Sequence, residues 1–485
     1  MLLENVDLLI LNEFSDPYFK VRYSGPYVLA SYLRNRGYRV QILDYVSHFT
    51  DAQLVKALRV CVGPKTLAVG LAGTFTVSLK ATYSAKDTPE ARTGWPLCQP
   101  RRIDLFLDTV RSINPETKII MGGHRHGYDY PRDVDTLFLG FSEVSLFNYL
   151  ETLRINNSWV PKVVQEEKQE GWNRDVFLYS EEDNILPGET LPLEISRGCI
   201  FNCKYCTYPR RGAKDFTYVK DEDVIRTQLS HNYDKFGVLN YTLTDDTHND
   251  TEEKLKRLIR VQKELGIQIR YSAYARLDLI HTFPHTADLL FQAGMRGPMF
   301  GIETLNWEAG KMIGKGLHPD KVRATLHRLR AEWGDEVGTE GMFILGLPKQ
   351  SRLDMVRMAK ELMDPSFPLH YVIFYALIIQ PLKEDSAFNR EPEKFGYDTS
   401  VKAAGNWVRD DGFTADEARQ MQILYTNQMI ETQRNKFGGV LPFLVSNGGR
   451  SLQSMIGKPL ELSQRDYIDA TRYMERYLAK VFSED

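Results

Sequence analysis

The chain predicts an α/β protein in three parts: an N-terminal doubly wound, Rossmann-like domain, a partial (β/α)6 TIM-type barrel, and a C-terminal helical cap. Three observations predict it. Short apolar runs alternate with helix-period segments over residues 1–155, and again with a longer period over residues 190–385. Polar and charged residues recur where the expected strands end, which is where such sheets bind their ligands. Between the two series, residues 156–189 are polar and carry Pro161, Gly171, Pro187 and Gly188, as a linker would. Residues 386–485 complete the chain as the helical region.

In the first series, residues 6–12 are almost continuously apolar, the pattern of a strand buried on both faces of a parallel sheet. Residues 25–36 place Tyr27, Val28, Ser31, Tyr32 and Leu33 at helical spacing, and Gly37 ends that helix. A strand over 39–44, a helix over 51–59 and a strand over 66–73 follow. A helix over 103–113 leads to a strand over 118–123, a strand over 135–140 and a helix over 143–153. The strand ends carry Asn12, Asp44, Gly73, Gly122, Gly123 and Gly140. Gly122 and Gly123 would let a nucleotide tail approach the backbone, or would simply form a tight turn. His124 and His126 follow on the same loop. Residues 74–102 exceed an ordinary βα connection and are expected as a lid or an irregular excursion.

In the second series, a strand over 191–195 runs into Cys199, Cys203 and Cys206. Strands over 238–244, 268–274, 298–302 and 339–345 end at Asp245, Arg276, Glu303 and Gly346, with a last strand over 370–378. Helices over 221–233, 251–265, 286–293, 319–333 and 354–363 separate them. In the C-terminal region, Thr414 and Glu417 form a cap-like start to a helix over 414–436, and a last helix spans 463–482. Tyr425, Gln428 and Arg434 either face substrate or pack within the cap.

Three of the five cysteines form C-x3-C-x2-C on the loop after a strand. Thiolates bunched in this way suit a soft metal or a cluster. Three are one too few for a closed zinc site or a fully protein-ligated cubane, which leaves an open coordination position. Zinc would need His231 or His248, both poorly spaced, and disulfides would strand an odd thiol. Cys61 and Cys98 stand alone, which is the usage of a reducing compartment; with no leader-like start and no apolar run of membrane-spanning length, a cytoplasmic protein is expected. The formal net charge of −3 does not indicate nucleic acid as a partner.

The cysteine loop, with Tyr205 before its last cysteine, resembles the cluster loop of the radical S-adenosylmethionine (SAM) superfamily. The blocks SRGCIFNCKYC, TLTDD, YSAYARLDL, MFGIETLNWEAGKMIGKG and GMFILGLP resemble, over roughly residues 191–382, the subgroup whose barrel follows a cobalamin-binding domain. The N-terminal region resembles that domain loosely, through GPYVLASYLRNRGYRVQILD, AVGLAG, IIMGGH and DVDTLFLGFSE. The resemblance implies a [4Fe–4S] cluster on Cys199, Cys203 and Cys206, with SAM chelating the fourth iron. It implies that Arg276 and Glu303 contact the ribose, amino or carboxylate groups of SAM, that Phe343 to Gly346 lie along its adenine, and that Asp245 stands where relatives place an amine ligand. Tyr205 would pack near adenine or cluster.

One departure concerns cobalamin. Relatives that supply a histidine to cobalt do so from a loop after the first strand, and here residues 13–24 contain no histidine. With cobalamin, the expected outcome is methylation of an unactivated carbon. Without it, rearrangement, cyclisation, oxidation or epimerisation is expected. The substrate would be a small molecule or peptide, and a one-electron donor such as a flavodoxin or ferredoxin would act as partner. A different class, a non-catalytic Fe–S or zinc protein, stays open on the residues alone.

Overall fold

The computed structural model describes residues 1–12, 22–72, 103–122, 134–155, 160–166, 171–208, 212–379, 386–401, 407–431 and 472–483. Gly123, His124, His126, Cys98, the insertion over 74–102 and Arg434 lie outside the described residues. The chain divides into two compact units. The first holds Met1–Pro192, Thr227–Val238 and Arg465–Asp485, and the second holds Leu193–Arg226 and Leu239–Gln464.

The first unit is built on six strands: β1 (Leu8–Leu11), β2 (Val40–Leu43), β3 (Ala68–Ala72), β4 (Lys118–Gly122), β5 (Thr136–Gly140) and β6 (Val163–Glu166). They pair in parallel in the order β2-β1-β3-β4-β5-β6. Helices α1 (Ser24–Arg34), α2 (Asp51–Cys61), α3 (Ile103–Ile113) and α4 (Glu143–Ile155) connect them. The strand order reverses between β1 and β3, the position at which doubly wound sheets open a ligand crevice. Helix α2 begins at a reciprocal cap in which the Thr50 hydroxyl accepts from the Gln53 amide and the Gln53 side chain accepts from the Thr50 amide. Strand β6 comes from the stretch expected as linker; four residues in a polar setting carry little signal until β5 pairs with them.

Leu9, Leu11, Val69, Leu71, Ile119 and Met121 from the sheet pack with Leu54, Leu58, Phe106 and Val110 from α2 and α3. A helix over 472–482 joins the same core through Tyr473, Met474, Tyr477 and Val481, whose spacing makes one apolar stripe. Tyr45 meets Tyr473 and Tyr477 edge-on, at ring centroid distances of 5.8 and 5.2 Å. The Asp44 amide donates to the Tyr477 hydroxyl at 2.9 Å, and the Met1 amine donates to the Lys480 carbonyl at 2.6 Å.

Below these rings lies a fully buried Arg22. It pairs with Glu189 at 2.7 Å and Asp44 at 3.0 Å, and donates to the Tyr27 hydroxyl and the carbonyls of Asp183 and Asn184. Asn12 donates to Asp44 at 2.5 Å. The polar groups at the ends of β1 and β2 are thus engaged with the protein itself. Burial outweighs Arg22 and pushes the Asp44 carboxyl up to about 7.

The second sheet contains β7 (Thr190–Leu193), β8 (Asn240–Leu243), β9 (Arg270–Ala275), β10 (Met295–Glu303), β11 (Glu340–Leu345) and β12 (Tyr371–Ala376), in the spatial order β12-β11-β10-β9-β8-β7. Pairing from β8 through β12 is parallel, and the sheet is open, with β7 and β12 at its edges. The intervening helices are α5 (Glu222–Phe236), α6 (Glu252–Leu265), α7 (Leu277–Thr282), α8 (Thr286–Ala293), α9 (Trp307–Met312), α10 (Pro319–Trp333) and α11 (Arg352–Met363). Beyond β12 come α12 (Ala387–Arg390), a small hairpin of β13 (Tyr397–Asp398) and β14 (Val408–Arg409), and α13 (Ala415–Glu431).

Alternation along the strands separates two faces. On one, Tyr271, Ala273, Phe300, Phe343, Val372 and Phe374 are buried, and Phe374 meets Tyr425 of α13 at 5.4 Å. On the other, Tyr274, Met299, Glu340 and Tyr371 lie in one register row across four strands.

Candidate active site

The cysteine loop leaves β7 at Leu193, and backbone hydrogen bonds hold it along its length. The Ala213 amide donates to the Cys199 carbonyl at 3.0 Å, Gly212 to Phe201 at 2.8 Å, and Lys204 to Ile313 at 2.9 Å. The Cys206 amide donates to the Cys203 carbonyl at 3.1 Å, closing a tight turn. Cys203 is buried, while Cys199 and Cys206 are half-buried. The Phe201 amide points at the Cys199 sulfur at 3.5 Å, and that thiol donates to the Thr247 hydroxyl at 3.3 Å. Burial pushes the Cys199 thiol up. Among the described residues, no three His, Cys, Asp or Glu side chains converge as ligands of a single metal ion.

Arg276, just past β9, reaches the same loop. Its Nη1 donates to the Cys203 sulfur at 3.4 Å, and its guanidinium stacks 3.8 Å from the Phe201 ring centroid. Asp278 grips the other side of the fork, accepting from Nε at 3.0 Å and from Nη2 at 2.5 Å. Burial opposes the charge on Arg276, but Asp278 and the nearby sulfur hold it firmly protonated. The guanidinium thus sets a fixed positive charge beside the loop's buried sulfur.

Glu303 ends β10 at a register shift, with a left-handed φ of +69°. Its Oε1 accepts from the Tyr205 hydroxyl and from Lys315 Nζ, both at 2.7 Å. Burial and the Glu303 charge hold the Tyr205 hydroxyl well above its ordinary value. Lys315 lies between Gly314, at φ +71°, and Gly316, whose missing side chain lets the backbone close on Gly310. A Cβ at Gly301 would collide with both Lys315 Nζ and Glu303 Oε1. Sequence reading missed Lys315; its signal was a lysine between two glycines just after α9.

Asp245 is fully buried, and the protein uses both of its oxygens. One accepts the Ile195 and Ser196 amides at 3.0 and 2.8 Å, and the other faces His248 Nδ1 at 3.0 Å and Lys254 Nζ at 3.7 Å. Burial works against its charge, but Lys254, His248 and the amides keep Asp245 below the ordinary carboxylate range. Its side chain therefore anchors the strand that leads into the cysteines. Phe343 is fully buried on the helix-facing side of β11, 6.1 Å from Phe374. Gly346, at φ +95°, accepts from the Tyr397 hydroxyl at 2.6 Å, and a Cβ there would strike Trp407. In the first unit, the missing side chain of Gly122 faces Phe138 at 3.2 Å.

These residues suit the groups expected of them to different degrees. Three thiols on one pinned loop, with an amide and a guanidinium aimed at two of the sulfurs, fit a cluster with one iron left open. The Glu303–Lys315 pair, with a hydroxyl, offers both charges to a zwitterionic amino acid moiety. In the first unit, β3, β4 and β5 end in the small, half-buried Ala72, Gly122 and Gly140, a backbone shelf that a large cofactor could approach.

Residues 193–362 match the radical SAM superfamily. An uncharacterised methyltransferase of Pyrococcus horikoshii is 26% identical over 170 residues, which is 34% of this chain and 36% of that protein. The bacteriochlorophyllide d C-12(1)-methyltransferase of Chlorobaculum tepidum is 22% identical over 169 residues, 34% and 35% of the two chains. The chain spans about a third of the length of these curated relatives. Among solved structures, the radical SAM methyltransferase TsrM of Kitasatospora setae, with tryptophan and a SAM analogue bound, aligns with a TM-score of 0.56 and 14% identity over 80% of this chain and 77% of that one. The cobalamin-dependent SAM radical enzyme OxsB, with aqua-cobalamin bound, aligns with a TM-score of 0.57 and 15% identity over 97% of this chain and 72% of that one. At such identities the likeness is one of fold, and it covers the doubly wound sheet as well as the open barrel. The radical SAM match thus extends over residues 193–362, from the strand that leads into the cysteines to the helix after β11, about a third of this chain.

Proposed function

We propose that the chain is a radical SAM enzyme that methylates an unactivated carbon of a small-molecule or peptide substrate, with cobalamin in its first unit. The observation that carries the reading is the joint placement of the cysteine loop with Arg276 on Cys203 and of Tyr205 on the Glu303–Lys315 pair. A [4Fe–4S] cluster on Cys199, Cys203 and Cys206 supplies, when bound, the electron that cleaves SAM to a 5′-deoxyadenosyl radical. Cobalamin, when bound, supplies the methyl carrier.

The protein's own work is positioning. Arg276 holds the Cys203 sulfur in place through its Nη1, and Phe201 gives that guanidinium an apolar seat. Lys315 and Glu303 would hold the carboxylate and amino or ribose groups of SAM, beside the Tyr205 hydroxyl that already bonds Glu303. The backbone from Phe343 to Gly346 would line the adenine. Asp245 fixes the entry strand through the Ile195 and Ser196 amides. A flavodoxin or ferredoxin is the matching electron donor. The methyltransferase names of the curated relatives support the methyl-transfer branch.

A second reading is favoured by the histidine-free stretch 13–24 and by the engagement of Asn12 and Asp44 within the Arg22 cluster. In it the first unit holds no cobalamin, and the radical drives rearrangement, cyclisation, oxidation or epimerisation. One experiment separates the readings. Protein reconstituted anaerobically with iron and sulfide, then reduced with SAM present, is expected to form 5′-deoxyadenosine, and Cys203→Ala is expected to form none. An intact cluster without 5′-deoxyadenosine would favour a non-catalytic Fe–S protein. Cobalamin retained after desalting, read by its visible absorbance, supports methyl transfer; its complete loss moves the assignment to the second reading.

A further inference from the structure

One carboxyl in the second unit plays no part in the site described above. Glu340 opens β11 and is 2% exposed. Among the described residues, none gives it a hydrogen bond or an ion pair, and burial alone acts on it, pushing the carboxyl up to about 8. Paired residues of parallel strands project to the same side. Glu340 pairs with Met299 on β10 and Tyr371 on β12, and Met299 pairs with Tyr274 on β9. Further along the same face, Ile344 pairs with Tyr375. Tyr274 and Tyr375 are 40% and 44% exposed, so this face is open above a buried acid. The acid acts electrostatically on the hydroxyls of Tyr274, Tyr371 and Tyr375, and Tyr375 also feels Glu303. Polar groups thus run from the strand ends down the open face to Glu340.

We propose that Glu340, with the hydroxyls of Tyr274, Tyr371 and Tyr375, anchors the substrate, and that the anchored group is an uncharged amide or hydroxyl on an aromatic or apolar body. The inference rests on the radical SAM reading only in calling this ligand the substrate. The chemistry follows from what surrounds the acid. A buried carboxyl without a cation keeps its proton and becomes a donor. The nearby cations Arg270 and Arg296 feel Glu336, and Arg296 also feels Arg270; neither feels Glu340. The other acid in the row's reach, Glu303, disfavours a second negative charge. A ligand carboxylate would meet these acids, and a ligand ammonium would have to expel a proton and lose its water. A neutral amide needs neither, and the phenol rings supply apolar walls with hydroxyl ends.

The test uses the reconstituted full chain with SAM bound and three fluorescent probes of one shape: 2-naphthamide, 2-naphthoate and 2-naphthylmethylammonium. Below the Glu340 value, at about pH 6.5, the amide is expected to bind about tenfold more tightly than either ion, the worth of one good buried hydrogen bond. At about pH 9 that preference is expected to fall by a similar factor. Glu340→Leu is expected to abolish the preference, and Glu340→Gln, which can still donate, to keep amide binding while losing its pH dependence. Tightest binding of the ammonium, equal binding of all three probes, no binding, or an amide preference untouched in either variant's pH profile would overturn the inference. Formation of 5′-deoxyadenosine by the wild type is scored separately, so a failed radical reaction with intact amide binding rejects the proposed function and not the anchor.

Discussion

At Gly301, the absent side chain leaves the space in which Lys315 meets Glu303. Gly301→Ala has to displace the tips of both side chains from the place where they now meet, and if their charge-assisted contact is lost in the move the cost is about 1.5–3 kcal/mol. SAM affinity, measured by equilibrium dialysis on reconstituted protein, is expected to fall at least tenfold, with the cluster absorbance retained; unchanged affinity would refute the role given to this pair. Glu340 makes a second prediction at the same scale. Its folded value lies near 8, above the ordinary carboxyl value it regains on unfolding. The native state therefore binds the proton more tightly. The stability this carboxyl contributes is full below the unfolded value and is lost as pH rises through about 8, at a slope of up to about 1.4 kcal/mol per pH unit. Glu340→Gln removes that slope. Its melting temperature relative to wild type is expected to be higher at about pH 8.5 than at about pH 5.5, and an equal difference at both would contradict the burial argument.

At the scale of elements, the turn from β8 into α6 carries a buried charge cluster. Asp245, His248, Asp250 and Lys254 are all buried there, and Lys254 bonds Asp250 at 2.8 Å, the Ser196 hydroxyl at 2.9 Å and the Thr247 carbonyl at 2.7 Å. Asp245→Ala removes an acceptor from two amides and a counter-charge from a buried lysine. The expected cost is about 3–5 kcal/mol, read as a lower denaturation midpoint together with poorer iron loading. Unchanged stability would show that Lys254 is satisfied without Asp245.

The legibility of elements followed the strength of local signals. Helices α8 and α10 have the bounds read from sequence, because Thr286 and Pro319 open them and glycines at 294 and 334 close them. Helices α7 and α9 were not read, since six residues hung from a strand end show no second apolar turn. The cysteines, Arg276 and Glu303 were legible as site candidates because each follows a strand directly. Asp245 was read from the same rule, yet its oxygens turn inward, a matter of side-chain direction that strand position does not encode. Lys315 and Glu340 were invisible for a tertiary reason: a glycine on β10 makes room for the lysine, and neighbours on β10 and β12 bury the acid.

At the scale of the whole molecule, the first unit is assembled from three separated stretches of chain. The helix over 472–482 supplies Tyr473 and Tyr477 around Tyr45 and the Arg22 cluster. Removing residues 465–485 strips those rings from a core that also holds a buried cation and two carboxylates. Limited proteolysis is expected to cut the truncated protein rapidly within 1–192 while 239–379 stays protected; equal protection of both would mean the first sheet stands without that helix.

This interleaving also bears on synthesis. Met1 and Lys480 are in contact although 479 positions separate them, and such long-range closures come late in folding. A ribosome adding ~5–20 residues per second needs on the order of tens of seconds to pass from the end of the first stretch to residue 465. For that interval Arg22 and its two acids wait without the rings of Tyr473 and Tyr477. The cysteine-bearing unit, whose segments end at 464, has all of its own chain before the first unit does. In the nascent protein, every residue of the unit that carries the thiols is made before the helix over 472–482 that joins the other sheet's core.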